Sequence, residues 1–127
     1  MNLPELPRDK FDLVRARALV ELGYPAVAPV LDGMLEWVQD SNWPVASVLH
    51  PLLIAIGMPL VPHLLHVLRT DDDTWKYFVI RDVIGRSPVL TAALRDKLTR
   101  IANDPTPSER AEEAHEMALD ALTASGL

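Results

Sequence analysis

The amino-acid sequence predicts an all-α chain of stacked antiparallel helix pairs, and three observations predict it. Apolar residues recur at helical spacing along most of the chain. Alternating apolar/polar runs and Asn-Gly hairpin signals are absent. Two kinds of turn signal also alternate at a near-constant step. Leu22-Gly23-Tyr24-Pro25 returns 34 residues later as Ile56-Gly57-Met58-Pro59, with a looser third copy at Ile84-Gly85-Arg86-Ser87-Pro88. Asp40-Ser41-Asn42-Trp43 returns 32 residues later as Asp72-Asp73-Thr74-Trp75, and Asn103-Asp104-Pro105-Thr106 follows at about the same step. Glycine closes a helix in a conformation other residues avoid, and proline fits the first turn of the next helix. Asp, Ser, Asn and Thr accept the free N–H groups of a first turn.

Taken in order, the signals predict helices over 10–22, 26–39, 43–56, 59–70, 74–85, 88–102 and 107–124. That makes about seven helices: three pairs and a C-terminal capping helix. Phe11, Val14, Ala18 and Leu22 form the apolar stripe of the first, and Leu31, Leu35 and Val38 that of the second. The third is apolar on nearly all sides and carries Pro51, which is expected to kink it near Ser47. Leu64, Leu65 and Leu68 mark the fourth, Trp75, Phe78, Val79 and Val83 the fifth, and Leu90, Leu94, Leu98 and Ile101 the sixth. Thr106-Pro107-Ser108-Glu109 fits a capping box for the last. That helix is expected to turn Glu109, Glu112, Glu113, Glu116 and Asp120 outward and Ala111, Ala114, Ala118, Ala121 and Leu122 inward. Two helices per unit at a fixed period describe an α-solenoid of HEAT-like antiparallel helix pairs.

Length and composition bound the function. The 127 residues fit one domain, 1–127, with an extended N-terminal segment over 1–9. There is no cysteine, which excludes disulfides, thiolate catalysis and Cys-ligated zinc. The first residues carry acid and proline where a signal peptide needs a basic and then an apolar run, so a cytoplasmic location is expected. The stretch 41–68 has no Asp, Glu, Lys or Arg, but Pro44, Pro51, Gly57, Pro59, Pro62 and three histidines interrupt it, so it is expected to be buried and not to span a membrane. Of the net charge of −6, residues 1–103 contribute −1 (12 acids, 11 bases) and 104–127 contribute −5 (six acids, one base). With the arginines scattered among acids, no basic face for nucleic acid is expected.

Several blocks carry a family resemblance: Leu6-Pro7-Arg8-Asp9-Lys10-Phe11-Asp12, Leu35-Glu36-Trp37-Val38-Gln39-Asp40-Ser41-Asn42-Trp43-Pro44-Val45-Ala46, Val61-Pro62-His63, Asp72-Asp73-Thr74-Trp75-Lys76-Tyr77, and Pro105-Thr106 with Glu109, Glu112 and Glu113. On these the chain resembles a bacterial domain-of-unknown-function family, number 5071, of short HEAT-like helical proteins. Phe78 stands where that pattern leads one to expect tryptophan. The resemblance implies the fold and carries no activity, catalytic residue or cofactor.

The candidate binding surface is an aromatic and charged edge formed by Glu36, Trp37, Asp40, Trp43, Asp72, Asp73, Trp75, Lys76, Tyr77 and Arg81. Tryptophan, tyrosine and arginine anchor many interfaces. The alternative is that Trp43 and Trp75 plug the core between repeats while Asp40 and Asp73 cap helices. No metal site is expected: His63 and His66 are three apart with no acid beside them in sequence, and His115-Glu116 is a single pair. Nothing in the local spacing points to Ser-His-Asp catalysis, and neither a Gly-x-Ser-x-Gly elbow nor a glycine-rich phosphate loop occurs. The resulting expectation is a non-enzymatic protein-protein interaction module, of immunity or antitoxin type, with another protein as partner. The alternative is a binder or enzyme for a small ligand or modified nucleobase, using an aromatic-acidic groove. Self-association through the apolar middle is a third reading.

Overall fold

A computed structural model describes residues 3–126. Among them there are nine α-helices and no strand. Helix α1 (Leu13–Leu22) starts where Asp12 Oδ1 accepts the Arg15 N–H at 3.3 Å. It stops at Gly23, whose φ of 66° requires glycine. A 3₁₀ turn over Ala28–Val30, containing Pro29, leads into α2 (Leu31–Glu36). Beyond Glu36 the backbone continues only in i→i−3 bonds, such as Val38 N–H to Leu35 O at 2.9 Å, so the helix expected over 26–39 is shorter and tightened at both ends. Helix α3 (Pro44–Ile56) accommodates Pro51 without interruption and ends at Gly57, φ 68°. A second 3₁₀ turn, Met58–Leu60, precedes α4 (Val61–Leu68). The uncharged stretch 41–68 is thus two helices bent by 111°, and no helix among the described residues is long and apolar enough to cross a membrane.

Asp72 caps α5 (Asp73–Asp82), its Oδ1 accepting the Trp75 N–H at 3.0 Å. The third glycine signal works differently from the first two. Gly85 lies inside a 3₁₀ turn, Ile84–Arg86, and a Cβ there would stand 2.8 Å from the Ile80 carbonyl oxygen, so close approach is what requires it. Ser87 caps α6 (Pro88–Ala93), and buried Leu94, at φ −105° and ψ 13°, separates it from α7 (Arg95–Asn103). The Thr106–Glu109 capping box forms as the sequence predicts and opens α8 (Pro107–Ala111), and α9 (Ala114–Ala124) follows. The seven expected helices become nine because the last two each divide. The second break falls at Glu113, which adopts a left-handed φ of 63°. A residue with a Cβ is strained there by about 1 kcal/mol or more. Glu113→Gly is therefore expected to raise stability by about 1 kcal/mol, read as a higher midpoint in thermal unfolding.

Helix α1 packs on α3, while α5 and α7 both pack on α9, and one core of Leu, Val, Ile and Ala side chains runs through the stack. Two faces differ from expectation. In α1 the residues turned inward are Ala16 and Leu19, and the stripe Phe11, Val14, Ala18 and Leu22 faces out, with Phe11 68% and Val14 79% exposed. In the C-terminal part Ala111 is exposed, whereas Glu109 is fully buried.

Candidate functional site

The expected aromatic edge separates into an interior part and two surface parts. Trp75 is 8% exposed, and its indole N–H donates to the Leu35 carbonyl at 3.0 Å, tying α5 to the end of α2. Trp37 and Trp43 are half-buried and meet edge to face at 5.7 Å between ring centroids. Glu36 is exposed, and Asp40 closes a local turn by accepting the Asn42 N–H at 2.9 Å, so Asp40 does not cap α3. Tyr77 and Phe78 also meet edge to face, at 5.2 Å. The Arg81 guanidinium lies 5.4 Å from the Tyr77 ring centre and 5.1 Å from that of Phe78, in cation–π range.

Asp73 and Lys76 belong to the interior, not to a contact surface. Asp72 is the cap; Asp73 turns inward, where its Oδ1 sits 2.9 Å from Lys76 Nζ, an ion pair whose angles fall outside hydrogen-bond geometry. Lys76 Nζ also donates to Glu109 Oε2 at 3.2 Å. Arg100 grips the same carboxylate with both arms, Nη1 on Oε1 and Nη2 on Oε2, the latter at 2.9 Å, and the Thr106 N–H donates to Oε1 at 2.8 Å. Four donors from three elements thus converge on one carboxylate with no solvent exposure. Burial alone raises a carboxyl pKa. Here the Arg100, Thr106 and Lys76 donors outweigh burial and hold Glu109 at about 2. The network is electrically balanced, two acids against two bases, and borders a 490 Å³ cavity between Leu68, Lys97 and Arg100.

A second cluster unites residues far apart in sequence. Ser41 Oγ lies 3.3 Å from His50 Nε2, and both are buried. Asp82, 3% exposed, is held by Arg81 in a fork, Nε at 3.0 Å and Nη2 at 2.9 Å, with Arg86 Nη2 at 3.6 Å. Burial raises the Asp82 pKa, but hydrogen bonds from Arg81 and Ser41 outweigh it and hold the carboxyl below its ordinary range. Burial, reinforced by Arg86 and Arg81 against the opposing pull of Asp82, pushes His50 down, towards the neutral ring. Ser41 thus stands between the His50 ring and the Asp82 carboxylate, whose pKa it helps to lower. Sequence reasoning missed this cluster because its members come from three separate segments. It also missed the acid beside His63, whose Nδ1 lies 2.6 Å from Asp32 Oδ1.

A third feature is a 250 Å³ pocket beside Thr74, Tyr77, Phe78, Ala111, Glu112 and Glu113, with Thr74 Oγ1 donating to Glu112 Oε2 at 3.3 Å. The blocks Asp72–Tyr77 and Pro105–Glu113, which carry the family resemblance, therefore meet in space, through Lys76–Glu109 and Thr74–Glu112.

Fold and side chains define a small all-helical protein with an ionic knot in its interior and an uncovered apolar face on its first helix. The chain belongs to the family described as a domain of unknown function, DUF5071, whose model matches residues 5–122. No curated protein matches it.

Proposed function

We propose that the protein is a non-enzymatic protein-protein interaction module, built as a short HEAT-like solenoid whose contact face is the outer side of α1. The supporting observation is the exposed stripe Phe11, Val14, Ala18 and Leu22, bordered by Val20 and Tyr24, which are 38% and 45% exposed. Helix α9 turns Glu116 and Asp120 outward around exposed Leu119, whereas α1 presents Val14, Ala18 and Leu22 on one face, with Phe11 just before it. Exposed Lys10, Arg17 and Glu21 supply the charged rim that surrounds an apolar contact patch. Another protein is the proposed occupant.

Val14→Glu places a charge in the middle of this stripe. At a side chain 79% exposed in the free protein, the change is expected to alter stability by no more than about 0.5 kcal/mol. It should nonetheless abolish retention of partners on immobilised protein and any concentration-dependent association seen by sedimentation. Identical retained proteins and identical sedimentation for variant and wild type would remove α1 as the contact face.

A second reading keeps the pocket at Tyr77, Phe78, Glu112 and Glu113 as a small-ligand site. Two aromatic rings beside two carboxylates suit a cationic group.

A further inference from the structure

A 230 Å³ cavity opens between α3 and the end of α5, lined by Ser41, Ser47, His50, Pro51, Arg81, Asp82 and Arg86. We propose that this cavity is an oxyanion site that takes a phosphate group, with the Arg81 and Arg86 guanidiniums as its principal donors. The charge balance selects an anion: two guanidiniums face one carboxylate across the cavity. Asp82 takes Arg81 through Nε and Nη2 and reaches Arg86 only through a 3.6 Å contact at Nη2, so Arg81 Nη1 and the rest of the Arg86 guanidinium are turned to no carboxylate. Arg81 is also fixed in orientation, because its guanidinium lies over the Tyr77 and Phe78 rings while it forks onto Asp82. A guanidinium held in place this way loses little freedom when it binds. Arg86, with its side chain 58% exposed and only a 3.6 Å contact to Asp82, is free to swing onto an incoming oxygen. The Ser47 hydroxyl, exposed at the same cavity, adds a neutral donor. The donors come from three places in the chain, the middle of α3, the end of α5 and the turn after it.

The site is independent of the α1 face. Inorganic phosphate is titrated into the full chain by calorimetry, with chloride at matched ionic strength as control and O-phosphoserine as a second ligand. Phosphate is expected to bind saturably where chloride does not. Arg86→Ala, at an exposed side chain, should weaken binding by about tenfold or more with an unchanged melting curve. Tighter binding of O-phosphoserine identifies the ligand as the phosphate of a larger molecule, and equal binding identifies free phosphate. Equal responses to phosphate and chloride, or undiminished binding by Arg86→Ala, would overturn the assignment.

Discussion

Glu109→Gln is expected to lower stability by about 3 kcal/mol and the melting temperature by roughly 10 °C. The substitution preserves shape and removes charge. In the wild type Glu109 neutralises both Lys76, which is 5% exposed, and the inner face of Arg100. The amide leaves Lys76 with Asp73 as its remaining acid partner and replaces one carboxylate acceptor of the Arg100 fork with a donor. Removing one member of a buried ion network costs more than the net value of the pair, because the surviving charge stays desolvated.

The same residue sets an acid limit. The Glu109 pKa is about 2 in the folded protein against an ordinary 4.5, so the folded state favours its ionised form. The resulting stability is fully present above about pH 4.5 and is lost as the pH falls from there through about 2. Its size is on the order of 3 kcal/mol, from the 1.36 kcal/mol that each pKa unit represents. Urea unfolding between pH 2 and 6 should show this slope in the wild type and a flatter one in Glu109→Gln. An unchanged acid slope in the variant would mean that other carboxylates dominate.

Sequence periodicity located most of the helices and some of their ends, but it could not orient every face. The stripe on α1 is legible as Phe11, Val14, Ala18 and Leu22, yet spacing says only that these residues share a side. Which side the rest of the chain covers depends on where α3 lies, and α3 takes Ala16 and Leu19 instead. Glu109 shows the same limit for charge. Its spacing with Glu112, Glu113, Glu116 and Asp120 reads as a solvated acidic face. Its burial follows from Lys76, 33 residues away, and Arg100, nine away, and neither partner leaves a local signature. The capping box, by contrast, was legible because Thr106 and Glu109 are three residues apart and satisfy each other. The Ser41, His50 and Asp82 cluster has no local signal at all: it exists only once the end of α5 comes to the same cavity as Ser41 and α3.

Trp75→Ala is expected to cost about 4 kcal/mol, in the range for truncating a buried aromatic side chain. Trp75 bridges elements 40 residues apart, so its loss both opens a cavity and releases the contact between α5 and the end of α2. Trp75→Phe separates the two contributions. It keeps an aromatic ring in the core but removes the indole N–H that reaches the Leu35 carbonyl. That carbonyl retains the Val38 N–H at 2.9 Å, so it is not left unsatisfied, and the hydrogen-bond part should be worth only about 1 kcal/mol. The alanine variant should therefore unfold far earlier in urea, with the phenylalanine variant close to wild type. If Trp75 instead served as a contact on the surface of the edge, the alanine change would leave stability within about 0.5 kcal/mol. A large loss in Trp75→Ala alone assigns this tryptophan to the core that aligns α5 with α2, and leaves the half-buried Trp37 and Trp43 as the tryptophans of that edge still partly open to solvent.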